Sequence, residues 1–164
     1  MSYHRHFEEI LRELPSACRS VYGERLVALA VFGSVARGRM RPDSDIDLLL
    51  VVENLPFGRM ARVREFDAVE ARLKTALELA ETAGVHTSLS PIFKTPEELH
   101  RGSFLFLDMT DQARVLVDDR QLLADYLGAL RRRLAEQGAH RVAKGGGYYW
   151  KLKPDFQWGE RITL

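Results

Sequence analysis

The sequence has only one cysteine, Cys18, in 164 residues, and it has no long apolar run. A lone cysteine cannot form an intrachain disulfide, which excludes a secreted fold stapled by disulfides. The apolar stretches are far shorter than the roughly 18 residues of a membrane span, and residues 1–9 lack the apolar segment of a secretory signal. We therefore expect a cytoplasmic protein without a membrane partner.

An excess of charge of one sign is also missing, since 24 Lys and Arg residues face 23 Asp and Glu residues. The resulting net charge of +1 argues against a general nucleic-acid coat, although it leaves a local nucleic-acid contact open. Basic residues are dense between Arg131 and Lys153, which indicates a solvated face or, alternatively, a surface for a phosphorylated ligand. Apolar residues make up 46% of the chain, enough for one globular core.

Short apolar runs alternate along the chain with helical periodicity, which predicts an α/β (α+β) fold with a small mixed β-sheet flanked by helices. The longest predicted helix buries a stripe of Met60, Val63, Phe66, Val69, Leu73, Leu77 and Ala80. We expect helices over 4–22, 59–82, 104–110 and 120–136, and strands over 25–32, 46–52, 85–93 and 114–117.

We expect one domain over residues 1–142, with a core over 4–118 and a C-terminal helix over 120–136. The remaining residues, 143–164, form a glycine-rich, aromatic and basic tail that packs on the domain. Within it, Gly145–Gly147 lacks the strand–helix context of a phosphate loop, and we interpret it as a linker.

Two carboxylates interrupt the start of the second apolar strand, at Asp45 and Asp47. Residues i and i+2 of a strand point to the same face, about 6–7 Å apart. Two carboxylates there would repel each other and lose solvation unless a cation lies between them. Mg²⁺ prefers oxygen ligands, usually one or two carboxylates together with substrate phosphates. The pair therefore predicts half of a metal site that a phosphate-bearing ligand completes.

Gly33 and Ser34 follow directly on the first buried strand. Glycine lets backbone approach a phosphate closely, and the serine hydroxyl and the following amides can donate hydrogen bonds to it. Arg37 and Arg39 crowd the same loop and would add positive charge. We expect phosphate and metal to meet over one edge of the sheet.

Gly33-Ser34, ten intervening residues and then Asp45-Ile46-Asp47 resemble the signature of the DNA polymerase beta-like nucleotidyltransferases. The stretch around them looks like the small prokaryotic branch, the minimal nucleotidyltransferase (MNT) domains. The resemblance covers about 17 residues sharply and extends through roughly residue 95 in its pattern of elements. It implies the nucleotidyltransferase fold.

The resemblance also implies a reaction. Asp45 and Asp47 would be the catalytic residues and would hold Mg²⁺ or Mn²⁺, while Gly33, Ser34, Arg37 and Arg39 would bind the phosphates of ATP or another nucleoside triphosphate. A hydroxyl acceptor would receive the nucleoside monophosphate, most simply AMP, and pyrophosphate would leave. MNT relatives are often paired with HEPN-domain toxins, so a HEPN-type protein is the partner that the resemblance implies.

The third carboxylate of active family members is missing from the predicted strand over 85–93. Ser88 or Ser90 would take the expected face, and His86 is the only titratable side chain near it. A serine hydroxyl is not an anionic ligand near neutral pH. Two interpretations stay open: an enzyme that works without the third acid, and a weak or inactive nucleotide-binding antitoxin module that acts by protein contact.

The aromatic residues of the tail have two possible roles. They can stack on a nucleobase, or they can pack the tail onto the domain or onto a second copy of the chain. They are Tyr148, Tyr149, Trp150 and Trp158.

Overall fold

A computed structural model describes residues 3–162 of the chain. In that range no helix is long and apolar enough to cross a membrane. The elements are α1 (Tyr3–Tyr22), β1 (Leu26–Phe32), α2 (Gly33–Ala36), β2 (Ile46–Val52), α3 (Arg59–Thr82), β3 (Leu89–Lys94), α4 (Pro96–His100), α5 (Leu105–Gln112), β4 (Arg114–Val117), α6 (Leu122–Glu136), β5 (His140–Lys144) and β6 (Gly147–Lys151).

The central sheet has four strands in the order β3-β2-β1-β4. β1 pairs antiparallel with both β2 and β4, whereas β2 and β3 are parallel. The predicted mixed sheet and the α/β fold class are therefore confirmed. The antiparallel pair places the end of β1 beside the start of β2, which brings two segments separated in sequence to one edge.

The two central strands are buried on both faces, which explains their continuous apolar sequence. On one face, Leu29 and Leu48 pack with the apolar stripes of α1 and α3. On the other face, Ala30 and Leu49 pack with α5 and α6. The sheet is thus the middle of three layers, and only the strand ends are open for chemistry.

α1 is one uninterrupted helix that ends before Gly23, whose φ is +58°. A proline inside a helix is expected to kink or restart it. α1 does not restart at Pro15, since the helix continues through it. Cys18 is buried in this helix, and burial raises the pKa of its thiol to about 12. A thiol that stays protonated is a poor nucleophile, which fits a packing role.

α3 has the predicted bounds but a shorter buried stripe. Four of its apolar residues are buried: Phe66, Val69, Leu73 and Ala80. Met60, predicted to be buried, is 65% exposed, and Val63 and Leu77 are only half-buried. A helix of 24 residues is about 36 Å long, longer than the strands of the sheet, so the sheet does not cover its whole apolar stripe.

β3 begins at Leu89, four residues later than predicted, so the strand prediction for Val85–Ser88 is wrong. In the preceding segment, Val85 donates to the carbonyl of Ala80 at the end of α3, and His86 to that of Pro42 in a loop. After β3, Thr95-Pro96 is the sequence pattern of a helix start, and a short helix follows. Thr95 caps α4 in a capping box, with Pro96 at the first helical position.

β5 and β6 form a hairpin that the sequence did not predict. Gly145 and Gly146 connect the strands with φ of +57° and +82°, the left-handed conformation that a two-residue hairpin turn requires. The linker interpretation of Gly145–Gly147 is therefore wrong. Most residues of both strands are exposed or half-buried, so no apolar run marks them in the sequence.

Candidate functional site

The candidate site lies where β1 ends and β2 begins. In the antiparallel pairing Phe32 lies opposite Asp47, so the Gly33-Ser34 corner that follows β1 is next to the carboxylate pair. Asp45 is exposed just before β2, and Asp47 is half-buried as the second residue of that strand. The strand pairing thus brings together two segments that are twelve residues apart in sequence, as the motif predicted.

Gly33 brings the backbone close to the Asp47 carboxylate. A Cβ built on it would lie 2.2 Å from Oδ2 of Asp47, and its φ is +70°. Both facts favour glycine, since a side chain here would displace the carboxylate and L-residues rarely adopt that φ. Ser34 follows in α2 and is half-buried. The glycine therefore lets the corner and the Asp47 carboxylate share one small space.

Ionisation of Asp47 is unfavourable in the folded protein. Burial raises the pKa of its carboxyl above the ordinary value, and the charge of Asp45 raises it further. The positive charge of Arg37 and a hydrogen bond from Ser90 oppose the shift without cancelling it. Ionised Asp47 is therefore under-compensated by the protein, and a cation placed between the two carboxylates would relieve that cost.

The predicted third-position serines do lie against the carboxylates. β2 and β3 pair in parallel register with Ser90 opposite Asp47. Ser88 donates from its hydroxyl to Oδ1 of Asp45 at 2.7 Å and from its backbone N–H to the same oxygen at 3.3 Å. Within residues 3–162 no three acidic, histidine or cysteine side chains gather into a potential metal-binding group. Two serine hydroxyls, rather than an acidic side chain, therefore contact the carboxylates from this side.

Two open clefts flank β3. The first, of about 580 Å³, runs from Asp45 along the acidic side of α3, where burial and the neighbouring Asp67 raise the pKa of Glu70. His86 has an exposed side chain and borders this cleft. The second, of about 570 Å³, opens beside Ser90. Apolar residues (Phe57, Pro91, Ile92, Phe93) and charged ones (Arg59, Arg62, Glu98) both line it. Both clefts lie across the carboxylates from the Gly33-Ser34 corner.

The two loop arginines have different surroundings. Arg37 acts on Asp47 by its charge and donates from Nη1 to Oε1 of Gln112 at 3.2 Å. Arg39 is exposed and borders a shallow pocket with Asp111 and Gln112 on α5. Gln112 was not predicted as a site residue, because a single polar residue at the end of a short helix belongs to no sequence motif. Of the two predicted arginines, only Arg37 is shown to act on a carboxylate.

Comparison with known proteins shows which domain family contains this site. The model of the nucleotidyltransferase domain family matches residues 11–123, a range that contains the whole central sheet. A candidate protein adenylyltransferase of Methanocaldococcus jannaschii, MJ1305, is 33% identical over 90 residues, which cover 55% of this chain and 56% of that protein. The chain thus spans little more than half the length of this relative.

Two solved toxin–antitoxin structures are more distant. A tyrosine-to-alanine mutant of the MntA-HpeT toxin–antitoxin has 17% identity and a TM-score of 0.47, with 77% of this chain and 90% of that chain covered. A toxin–antitoxin with AMP-PNP has 17% identity and a TM-score of 0.41, with 82% and 92% covered. The family assignment therefore rests on the matched residues 11–123.

Proposed function

Since the chain belongs to the nucleotidyltransferase domain family, we propose that it transfers a nucleoside monophosphate to a hydroxyl acceptor and releases pyrophosphate. The simplest donor is ATP, with AMP as the transferred group. The observation that carries the proposal is the corner itself. Gly33 lies so close to Oδ2 of Asp47 that a phosphate held by the glycine backbone would also meet a metal held by the carboxylate.

The residues present fit a divalent cation. Asp45 and Asp47 supply carboxylate oxygens, and the raised pKa of Asp47 marks repulsion that a cation would remove. Mg²⁺ commonly binds through one or two carboxylates plus substrate phosphates, which suits a site with no third acid. Bound there, Mg²⁺ or Mn²⁺ would neutralise the charge that develops on the phosphate oxygens.

The chain's own residues divide the remaining tasks between the two sides of the carboxylates. Gly33 and Ser34, with Arg37 and Arg39, would hold the outer phosphates, which leave as pyrophosphate. An acceptor hydroxyl attacks the α-phosphorus opposite the leaving group, so it would enter from the β3 side, where both clefts open. Ser88 and Ser90 line that entry and would orient the acceptor by hydrogen bonds, since neither is a base.

We propose a protein as the acceptor, of the HEPN type that the sequence resemblance implies. The two clefts on the β3 side open to the surface of the domain, so an acceptor hydroxyl carried by another protein would reach the carboxylates there.

The second candidate function is a nucleotide-binding module with weak or no catalysis, acting by protein contact. One specific observation favours it: Ser88 and Ser90, rather than an acid, contact the two carboxylates on the acceptor side. Neither serine hydroxyl is a base, so neither can take the proton of the acceptor hydroxyl as a third carboxylate would.

Labelled ATP separates the two functions. The protein is incubated with ATP labelled at the α-phosphate, Mg²⁺ and a co-expressed HEPN-type partner, and label on protein is measured together with pyrophosphate. The enzyme hypothesis expects label on the partner that Asp47→Asn or EDTA lowers by several powers of ten. ATP binding without pyrophosphate release supports the module. Absence of any Mg²⁺-dependent ATP binding would refute both.

A further inference from the structure

The C-terminal hairpin, residues 140–151, is fixed to α5 by side chains of one face. Trp150 donates from Nε1 to Oδ1 of Asp108 at 2.9 Å. The Arg141 guanidinium lies 5.0 Å from the ring centroids of both Tyr148 and Trp150, and 3.5 Å from a carboxylate oxygen of Asp111. Tyr148 and Trp150 are two residues apart on β6, so this face of the hairpin is directed toward α5.

α5 also contacts the phosphate corner, and this contact connects the hairpin with the site. Arg37 hydrogen-bonds Gln112, the last residue of α5, and Arg141 of the hairpin lies 3.5 Å from a carboxylate oxygen of the preceding residue, Asp111. Arg37, Asp111 and Gln112 line one pocket. The phosphate corner and the hairpin therefore meet at the C-terminal end of α5.

The ring of Tyr148 is partly open to solvent. Tyr148 is 41% exposed, with Arg141 over its ring, whereas Trp150 is half-buried against the apolar layer that α5 and α6 form on one face of the sheet. A nucleotide needs a cation for its phosphates and a flat apolar surface for its base. Arg37 and the hairpin contact adjacent residues at the end of α5, which brings these two surfaces to one side of the site, and the hairpin lies outside the family-matched range of 11–123.

We propose that Tyr148 is the base-stacking residue of the nucleotide site, and that Arg141 and Trp150 are positioning residues that hold its ring beside Arg37. This inference rests on the proposed function, because it assigns the base of the same nucleotide. Stacking tolerates any base, so the hairpin would contribute affinity for nucleotides more than a choice among them.

Binding by the full-length chain tests the inference with two probes in Mg²⁺: an ATP analogue that cannot be cleaved between the α- and β-phosphates, and inorganic tripolyphosphate. Tyr148→Ala should weaken binding of the ATP analogue about five- to hundredfold and leave tripolyphosphate affinity within about twofold. Tyr148→Phe keeps the ring and should bind the analogue nearly as the unaltered chain does.

Tyr149→Ala is the matched control. Tyr149 is the neighbouring residue, 50% exposed, and on the opposite face of the hairpin, so its loss should not change either affinity. Equal weakening of both probes by Tyr148→Ala would overturn the inference, because the hairpin would then act on the phosphates. Unchanged affinity in Tyr148→Ala, while Asp47→Asn loses binding, would overturn it and leave the proposed function standing.

Discussion

The strand-end site and the C-terminal hairpin are built in opposite ways. The site residues extend from two strands whose other residues are almost all buried on both faces, and a glycine at +70° closes them together. The hairpin strands are mostly exposed, and a few polar contacts, among them Trp150 with Asp108 and Arg141 with Asp111, hold them on α5. One region is fixed by the core of the protein, and the other by a handful of side chains.

This difference separates two requirements of a transferase. Reacting groups must be held to within a fraction of an ångström, which a buried sheet provides. A surface that receives a base needs only a flat ring and can be attached to the outside of the core. Changes in the strand-end site should therefore affect the rate of reaction strongly, and changes in the hairpin should affect binding or local stability modestly.

The largest effect is expected from Gly33→Ala. The added Cβ would lie 2.2 Å from Oδ2 of Asp47, so the carboxylate or the corner must move. A displacement of about 1 Å at reacting groups can cost on the order of a hundredfold in rate. We expect transfer activity to fall by at least that factor, measured as release of pyrophosphate from ATP.

Gly38→Ala is the control within the same loop. Gly38 has a φ of +65°, so alanine there meets a similar backbone strain of about 1 kcal/mol, but no atom lies within 4 Å of its Cβ position. It should lower the melting temperature about as backbone strain predicts and retain activity. Equal loss of activity in both variants would mean that loop strain, rather than the contact with Asp47, limits the reaction.

A smaller effect, and one of opposite sign, is expected from Ser90→Asp. Ser90 lies opposite Asp47 in the parallel pairing, so an acid there would supply the third carboxylate that the family pattern has. We expect the transfer rate at saturating Mg²⁺ to rise on the order of tenfold, because the acceptor gains a base and the metal a ligand. The rate is measured with the same acceptor for both chains.

Ser90→Asn matches the size of that change without its charge. It should not raise the rate, and it separates shape from the carboxylate. If Ser90→Asp reduces activity as much as Ser90→Asn does, the site is adapted to hydroxyls, and the interpretation of Ser88 and Ser90 as replacements for an acid would be wrong.

Much of the core was predictable because its signals are local. β2 and α3 were predicted with the bounds observed, since an apolar run and a 3.6-residue period need no knowledge of neighbours. The prediction of a strand over 85–93 was wrong in its first half, because a contact distant in sequence decides the structure there. Val85 donates to Ala80 and closes the end of α3, and His86 donates to Pro42, a partner far away in sequence that no local window reveals.

The site residues also divide into those with a local sequence signal and those that depend on contacts distant in sequence. Asp45, Asp47 and Gly33 were found from a spacing motif, and the pairing of two adjacent strands brings such a motif together. Gln112 and the hairpin depend on contacts between segments far apart in sequence, such as Trp150 with Asp108. Gly145 and Gly146 were a visible hairpin signal, but the strands beside them lack the apolar alternation that would have supported it.

A local loss of stability is expected from Trp150→Phe. The change removes the Nε1 donor to Asp108 at 2.9 Å and keeps an aromatic ring, so the hairpin should lose about 1–2 kcal/mol of protection. Amide hydrogen exchange measures it: residues 140–151 should exchange faster, and β1 and β2 should not change. Faster exchange in the central strands as well would show that the hairpin is part of the same cooperative unit as the sheet.

The smallest effect concerns the metal-free stability of the site. Burial and Asp45 raise the pKa of Asp47 above its ordinary 3.8, so the folded state binds this proton more tightly than the unfolded state does. The stabilisation is full below pH 3.8 and is lost as the pH rises through the raised pKa. Asp47→Asn should therefore raise the melting temperature in EDTA at pH 7 by on the order of 1 °C, and by less near pH 4.

Asp43→Asn controls for the loss of a nearby charge, because Asp43 is exposed in the preceding turn, where it pairs with Arg41 at 3.4 Å. It should not raise the melting temperature. Mg²⁺ should reverse the order of the melting temperatures of the unaltered chain and Asp47→Asn, because it stabilises the unaltered chain and not the variant. A melting temperature that falls in Asp47→Asn without metal would mean that Arg37 and Ser90 fully compensate the carboxylate, so the pair would hold no repulsion for a cation to relieve.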